Sequence, residues 1–149
     1  MNISNRDPIE YIDLVDIRFA DLDFYGHVNS KHYLDLVATA RLNFLAREMK
    51  MPMHEVAQKG IGFFLVKSTI NYKRPINGLQ RVLSSSRVVE IRDGKVLVIP
   101  FTIESEDRSR VFSDGILEYA LIDMNTKKMT ISPDWIVDLF LKTSGQADS

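Results

Sequence analysis

One polar segment, between a strand pattern and a helix pattern, concentrates the side chains that could do chemistry. It contains two carboxylates and four other hydrogen-bonding side chains: Asp21, Asp23, Tyr25, His27, Asn29 and Ser30. A carboxylate there could act as a nucleophile or as a general base to water. The helix that follows offers unpaired backbone N–H groups at its start, which could bind an oxygen that becomes negative during a reaction. The combination suggests acyl transfer.

Simpler roles compete for the same residues. Asp21 and Asp23 could be turn or capping residues, and a single loop histidine such as His27 is usually a structural hydrogen-bonding group. Neither His32 nor His54 has the spacing that would make a metal site with it. The D-x-D-x-x-G string is similar to a calcium loop, but His32 stands where a bidentate Glu is needed. We therefore expect no metal and no cofactor.

Composition narrows the class of protein. The 149 residues predict a single domain over 1–149 with an ordered core of about 8–142. The absence of Cys excludes Cys-ligated zinc, iron–sulfur clusters and thiol nucleophiles, and it agrees with a cytoplasmic location. A net charge of -1 without a basic block makes nucleic acid an unexpected partner. No apolar run approaches about 18 residues, so no membrane segment is expected.

The hydrophobic pattern predicts the elements that position the segment. Alternation predicts a strand from Leu14 to Ala20, and a run of helix formers predicts a helix from about Lys31 to Met49. Its apolar residues fall on nearly every face, so we expect it to be buried on most sides. A short second helix is expected between Pro52 and Gly60.

The rest of the chain has strand periodicity. Strands are predicted over residues 61–75, 81–91, 95–106, 111–123 and 129–131. Asp93-Gly94 predicts a two-residue hairpin turn, Pro100 predicts an edge strand or a bulge, and Pro133 opens a last helical turn or two. The order of elements predicts an α+β fold, with one long helix against an antiparallel sheet.

The segment from Arg18 to Arg41, RFADLDFYGHVNSKHYLDLVATAR, resembles the signature of hotdog-fold acyl-CoA thioesterases of the 4-hydroxybenzoyl-CoA thioesterase type. That pattern is roughly D-x-D-x-x-G-H-V-N-N-x-x-Y-L followed by A-R. Downstream, INYKRPING resembles a strand-end motif of the same family, and the closing strands are also similar. The resemblance covers most of residues 12–134.

The resemblance implies a long central helix wrapped by a five- or six-stranded antiparallel sheet. It implies homodimers or homotetramers in which sheets join edge to edge, with active sites at the dimer interface. Asp23 matches the catalytic carboxylate, which acts on the thioester carbonyl directly or through water, and backbone N–H groups near Asn29 and Ser30 would polarise that carbonyl. His27 matches a histidine that related acyl-carrier thioesterases are thought to use with the acid, although in many members it is structural.

Five residues are candidates for binding the substrate: Tyr25, Lys67, Tyr72, Lys73 and Arg74. Tyr25 could line an aromatic slot, and Tyr72 stands in the second motif. The three basic residues stand on a strand and at its end, where the pantetheine and phosphates of coenzyme A could run, although an exposed basic residue is usually only solvated.

The chain also departs from the family pattern. Ala38 and Thr39 stand where many members carry a helix Glu, so Asp23 would act alone, and Ser30 replaces the second Asn of the loop motif. A thiol with a pKa of roughly 8.5 can leave without an acid, so a sparse site is sufficient. We therefore predict hydrolysis of an acyl-CoA or acyl-carrier-protein thioester. The alternative is a hotdog protein that binds or senses acyl-CoA without catalysis, and a hydratase ranks last.

Overall fold

The structure is a computed structural model that describes residues 6–143. Its elements in chain order are β1 (Tyr11–Asp16), α1 (Tyr33–Arg47), α2 (Met53–Gln58), β2 (Ile61–Tyr72), β3 (Arg81–Ser86), β4 (Glu90–Arg92), β5 (Val96–Ser105), β6 (Val111–Asp123), β7 (Lys128–Met129) and α3 (Asp134–Phe140). Two short 3-10 turns, Phe19–Asp21 and Ser30–His32, lie between β1 and α1. No helix within this part of the chain is long and apolar enough to cross a bilayer.

The strands form one antiparallel sheet of seven strands in the order β1-β3-β5-β6-β2, with β4 beside β5 and β7 beside β6. Helix α1 packs against β1 and β3. Val37 of α1 and Val82, Ile103 and Leu121 of the sheet are completely buried in the core between them. The predicted α+β class is confirmed. The strand count exceeds the predicted five or six because the predicted strand 81–91 is divided into β3 and β4.

Pro100 explains that division. It lies in β5, a central strand with β3 and β4 on one side and β6 on the other, so the prediction of an edge strand is wrong. Because proline has no N–H, the ladder is interrupted opposite it. There the Arg87 N–H donates to the Pro100 carbonyl at 3.3 Å, between the end of β3 and the start of β4. The predicted hairpin turn at Asp93-Gly94 is present, with φ of 54° and 70°, but the loop has three residues instead of two because Arg92 pairs with Val96.

The elements around the polar segment differ from their predicted bounds. The first strand ends at Asp16 instead of Ala20, because the chain then turns through the 3-10 turn Phe19–Asp21. Helix α1 begins at Tyr33 after a second 3-10 turn and ends at Arg47. In the single chain it is buried on one face only, since Leu42 on its other side is 42% exposed.

The residues on either side of the predicted ordered core, 1–7 and 143–149, lie mostly outside the described residues. Arg6 and Asp7 are described, and both contact the end of the chain. The Arg6 guanidinium pairs with the Asp138 carboxylate at 2.8 Å, and the Lys142 N–H donates to the Asp7 carbonyl at 2.8 Å. The beginning and end of the described chain are thus held together.

Strand β2 forms one edge of the sheet. Its 12 residues pair with β6 on one side only, so the backbone groups on its other side have no partner strand among residues 6–143. Phe64, Val66 and Tyr72 on this strand are exposed, at 63%, 51% and 54%. A long, exposed, partly apolar edge strand is a template for pairing with another chain.

Candidate active site

The first aspartate of the polar segment is engaged in structure. The Asp21 carboxylate accepts hydrogen bonds from the Arg18 backbone N–H at 2.8 Å and from the guanidinium Nε and Nη2 at 3.2 and 2.8 Å. Asp21 is 2% exposed, and the Nδ1 atom of His32 lies 3.8 Å from its Oδ1. The hydrogen bonds from Arg18 hold the pKa of Asp21 below its usual value. This residue anchors the segment and is not free for chemistry.

The second aspartate is held by one oxygen only. The Oδ1 atom of Asp23 accepts the backbone N–H groups of Tyr25 and His27 at 2.8 and 3.1 Å, while the Asp23 N–H donates to the His27 carbonyl at 2.7 Å. This tight turn is possible because Gly26 adopts a φ of 76°. No described residue hydrogen-bonds to the Oδ2 atom of Asp23. The carboxylate is oriented, and one of its oxygens is available.

Backbone hydrogen bonds fix this turn against the segment that follows β2. The Val28 N–H donates to the Ile76 carbonyl and the Gly78 N–H donates to the Gly26 carbonyl, both at 2.9 Å. His27 and Asn77 form an isolated β-bridge. The His27 imidazole makes no hydrogen bond to any residue of 6–143. The position of Asp23 therefore depends on a second, distant stretch of chain.

The start of the helical region leaves one backbone donor unused. The Asn29 N–H donates to the Asp21 carbonyl at 2.8 Å, and the Asn29 side chain caps the turn by accepting the Lys31 N–H at 3.2 Å. Between Gly26 and His32, Ser30 is the one residue whose N–H no group of the described chain accepts. Of the two predicted donor positions, the Asn29 N–H is occupied and the Ser30 N–H is available.

Two tyrosines lie beside this start. The Tyr72 hydroxyl, at the end of β2, donates to the Ser30 carbonyl at 3.5 Å, and its ring packs edge-on against Tyr33 with 5.0 Å between centroids. Tyr33 is 3% exposed, which agrees with its expected core position. Burial raises the pKa of the Tyr33 hydroxyl, and the negative charge of Asp23 contributes to the increase. The carboxylate of Asp23 thus lies close enough to the first residue of α1 to affect it electrostatically.

Of the other predicted substrate-binding residues, not all lie near Asp23 and Ser30. Tyr25 is on the turn itself but 80% exposed. Lys67 lies opposite Glu118 in the β2–β6 ladder, five residues before Tyr72, and thus about 17 Å along the strand from it. The Lys73 ammonium pairs with the Asp114 carboxylate at 3.0 Å.

Arg74 lines a cavity of about 340 Å³ at the end of the sheet, together with Arg110 and Asn77. Sequence reasoning missed Arg110. Tyr72 at the end of β2 pairs with Ser113 at the start of β6, which brings the two arginines together. Only knowledge of this non-local pairing could have found the second arginine. The cavity adjoins the Asp23 turn, since Asn77 pairs with His27.

Within residues 6–143 no group of three or more His, Asp or Glu side chains could hold a metal ion. The site consists of an oriented carboxylate, an unpaired backbone donor at the start of a helical region, and a cavity with two arginines next to them. An anionic or nucleophilic oxygen opposite a hydrogen-bond donor is suited to attack on a carbonyl group.

Comparison with known proteins identifies the family. The profile of the thioesterase-like superfamily matches residues 17–140, and the chain belongs to that family. The long-chain acyl-CoA thioesterase FadM of Escherichia coli (strain K12) is 29% identical over 114 residues, which are 76% of this chain and 84% of FadM. The prediction of a thioester hydrolase is confirmed at the level of the family.

Solved structures show the fold. The crystal structure of YbaW, a probable thioesterase from Escherichia coli, superposes with a TM-score of 0.72 and 24% identity over 87% of this chain and 95% of YbaW. A hypothetical protein from Staphylococcus aureus, solved in complex with CoA, superposes with a TM-score of 0.76 and 13% identity over 89% of this chain and 82% of that chain. The predicted hotdog fold is confirmed.

The Arg18–Asp21 pair predicts a pH-dependent contribution to stability. At pH 7 we expect Asp21→Asn to lower the free energy of unfolding by about 1–3 kcal/mol, because a buried charge-assisted hydrogen-bond network is lost. The folded-state pKa of Asp21 is depressed, so its contribution is present above the usual value of about 4 and is lost as the pH falls toward the lower folded-state pKa. Urea unfolding at a series of pH values measures the difference. The exposed Asp16→Asn is the control, and a difference between parent and Asp21→Asn that does not shrink in acid would refute the assignment.

Proposed function

We propose that this protein hydrolyses acyl-CoA thioesters, with Asp23 attacking the thioester carbonyl directly or activating water, and with the Ser30 N–H binding the developing oxyanion. The observation that carries the proposal is that one short segment holds both an oriented carboxylate with a free oxygen, on Asp23, and a backbone N–H without an acceptor, on Ser30. The relative FadM is named as a long-chain acyl-CoA thioesterase, which supports the substrate class.

The chemistry needs few groups. A thiolate with a conjugate-acid pKa of roughly 8.5 leaves without protonation, so the site needs no general acid. The two backbone N–H groups on Asp23 Oδ1 leave Oδ2 directed elsewhere, which suits one oxygen for orientation and the other for reaction. In this scheme His27 and Asn29 are positioning residues, since His27 supplies a backbone N–H to Asp23 and Asn29 caps the turn that presents Ser30.

The carboxylate is tested by Asp23→Asn, which keeps the size of the side chain and removes its charge. We expect thiol release from a panel of acyl-CoAs to fall by about a hundredfold or more. Asp35→Asn, in the first turn of α1, removes the same charge close by and should leave the rate within about twofold. Turnover by Asp23→Asn equal to that of the parent would exclude the mechanism. Tight binding of intact acyl-CoA by the parent would favour the binding-protein alternative.

The oxyanion donor is tested by removing a single hydrogen. Ser30→Pro deletes the N–H at a first helical position, where proline is well tolerated, and Asn29 before it has an extended φ and ψ of -63° and 134° that suit a residue preceding proline. We expect kcat to fall by about 10²–10³, the usual effect of losing one oxyanion donor. Ser30→Ala keeps the N–H and should retain activity. Equal losses in both variants would show that the donor is elsewhere.

We further propose that Arg74 and Arg110 bind phosphate groups of CoA in the cavity that they share. Neither guanidinium pairs with a carboxylate among residues 6–143, and a guanidinium is well matched to phosphate oxygens. The cavity adjoins the Asp23 turn through Asn77, so one ligand could reach both places. A protein of this fold has been solved with CoA bound, which supports the proposal.

A truncated substrate separates this role from a structural one. We expect Arg74→Gln and Arg110→Gln each to raise KM for acyl-CoA by about tenfold, since a charge-assisted hydrogen bond is lost, with little change in kcat. The same acyl group on N-acetylcysteamine carries no phosphate, so its KM should not change. Arg81→Gln, which breaks an exposed pair with Glu106, is the control. An equal rise in KM for both substrates would contradict phosphate binding.

The free edge of β2 supports a homodimer, or a homotetramer built from such dimers, with the active site next to the interface. Tyr72 on this strand contacts Ser30, so a second copy paired with β2 would lie beside the catalytic residues. We expect the parent to sediment as a dimer or tetramer. The double variant Phe64→Lys and Val66→Lys should dissociate it, whereas Ile131→Lys, at another exposed apolar position, should not. A monomeric parent at assay concentrations would contradict the proposal.

A further inference from the structure

A second cavity lies between α1 and the inner face of the sheet. Its volume is about 150 Å³, and its walls include Leu45, Met53, Phe63 and Ile99. Arg41 is the one charged residue among the described residues that line it. None of the residues assigned above to catalysis or CoA binding borders this cavity. Arg41 lies eight residues after Tyr33, or about 12 Å along α1 from its first residue.

The guanidinium of Arg41 has an unused donor. Its Nη1 atom is buried and has no hydrogen-bond partner. No carboxylate of residues 6–143 lies within salt-bridge distance of it. The guanidinium carbon stacks 4.5 Å from the centroid of the Tyr119 ring, and this contact leaves the in-plane N–H groups of Nη1 unsatisfied.

One polar group near Arg41 already has a hydrogen-bond partner. The Tyr11 hydroxyl, on the cavity wall, donates to the Leu139 carbonyl at 2.6 Å. Burial raises the pKa of this hydroxyl, and the positive charge of Arg41 opposes that increase, so the phenol stays neutral and supplies no counter-charge. The Arg41 side chain is partly buried, and its buried Nη1 donor without an acceptor carries a desolvation cost. A ligand that brings an anionic oxygen would remove that cost.

We propose that this cavity binds a carboxylate on a small apolar body, with the carboxylate accepting hydrogen bonds from Arg41 and the apolar body filling the space between Leu45, Met53 and Phe63. A cavity of about this volume can hold a benzene ring. A guanidinium matches a carboxylate in planar, paired geometry, whereas a hydrated inorganic anion would be placed against apolar walls.

Such a ligand has two possible sources. It is a free carboxylic acid, the class of product that thioester hydrolysis releases, or it is the carboxyl end of an acyl chain whose thioester lies about 12 Å away at the start of α1. The second source, unlike the first, rests on the proposed function. Binding measured without turnover tests the cavity independently of the hydrolase activity.

The test is calorimetric titration of the full-length protein with benzoate and hexanoate. Benzamide and hexanamide, which have the same shape without charge, are the comparison ligands. We expect saturable binding of the acids, at least about tenfold weaker binding of the amides, and a loss of about tenfold or more in Arg41→Met. Arg47→Met, on the same helix but exposed and paired with Asp13, should bind like the parent. No binding of either acid, or equal binding of acid and amide, would overturn the proposal.

Two further measurements keep the outcome decisive. If Arg41→Met does not fold, nuclear Overhauser contacts between benzoate protons and the methyl groups of Leu45 and Met53 in the parent decide the location, and contacts elsewhere only would overturn it. Dodecanedioyl-CoA and dodecanoyl-CoA separate the sources. A lower KM for the diacid in the parent that is lost in Arg41→Met identifies the acyl end, and equal KM values together with acid binding identify the free acid.

Discussion

The site depends on one constraint, which is that nearly every backbone N–H group in the loop from Gly26 to His32 is hydrogen-bonded. Between Gly26 and His32 every backbone N–H except that of Ser30 is given to a defined acceptor. All of these acceptors except the Ile76 carbonyl belong to the segment itself, and they include the Asp21 carbonyl and the Asp23 carboxylate. The same bonds therefore fix the loop, orient the proposed catalytic carboxylate and leave a single donor open beside α1.

Strand β2 and the residues that follow it position this loop. Strand β2 runs along the sheet edge and ends at Tyr72, next to Ser30, and the chain beyond it supplies the Ile76 carbonyl and Gly78 N–H that hold the loop. Its partner β6 begins at the same end, which places Arg110 beside Arg74. A free edge, the proposed catalytic loop and a basic cavity thus meet where β2 ends and β6 begins.

Local patterns in the sequence were sufficient for much of the fold. Strand β6 has its predicted bounds, 111–123, because polar turn residues bound it, 107–110 before it and Asn125-Thr126 after it. Asp93-Gly94 makes the predicted turn because both residues accept a positive φ. Pro100 was expected at an edge or at a bulge, because a proline usually interrupts a ladder. It lies beside an irregularity, since the three residues 87–89 between β3 and β4 face the two residues 99–100, and which alternative holds is not a local property of the sequence.

The site, like the fold, was predicted only where it depends on local sequence. Asp23 and Ser30 lie in one segment and could be found from residue type and motif. Asp21 is structural and Asp23 is available because the Arg18 side chain binds Asp21, which the sequence does not show. Arg74 and Arg110 lie together because β2 and β6, which are distant in the chain, pair in the sheet. The unpaired Nη1 of Arg41 is visible only when every neighbour is in place.

The most direct measurement of the central claim is a crystal structure of the full-length protein with an acyl-CoA analogue in which the thioester sulfur is replaced by methylene, giving an unreactive ketone. The account predicts that the ketone oxygen accepts the Ser30 N–H at about 3 Å and that the Asp23 carboxylate faces the carbonyl carbon. A ketone bound with its oxygen on another donor, and with Asp23 turned away from that carbon, would contradict it.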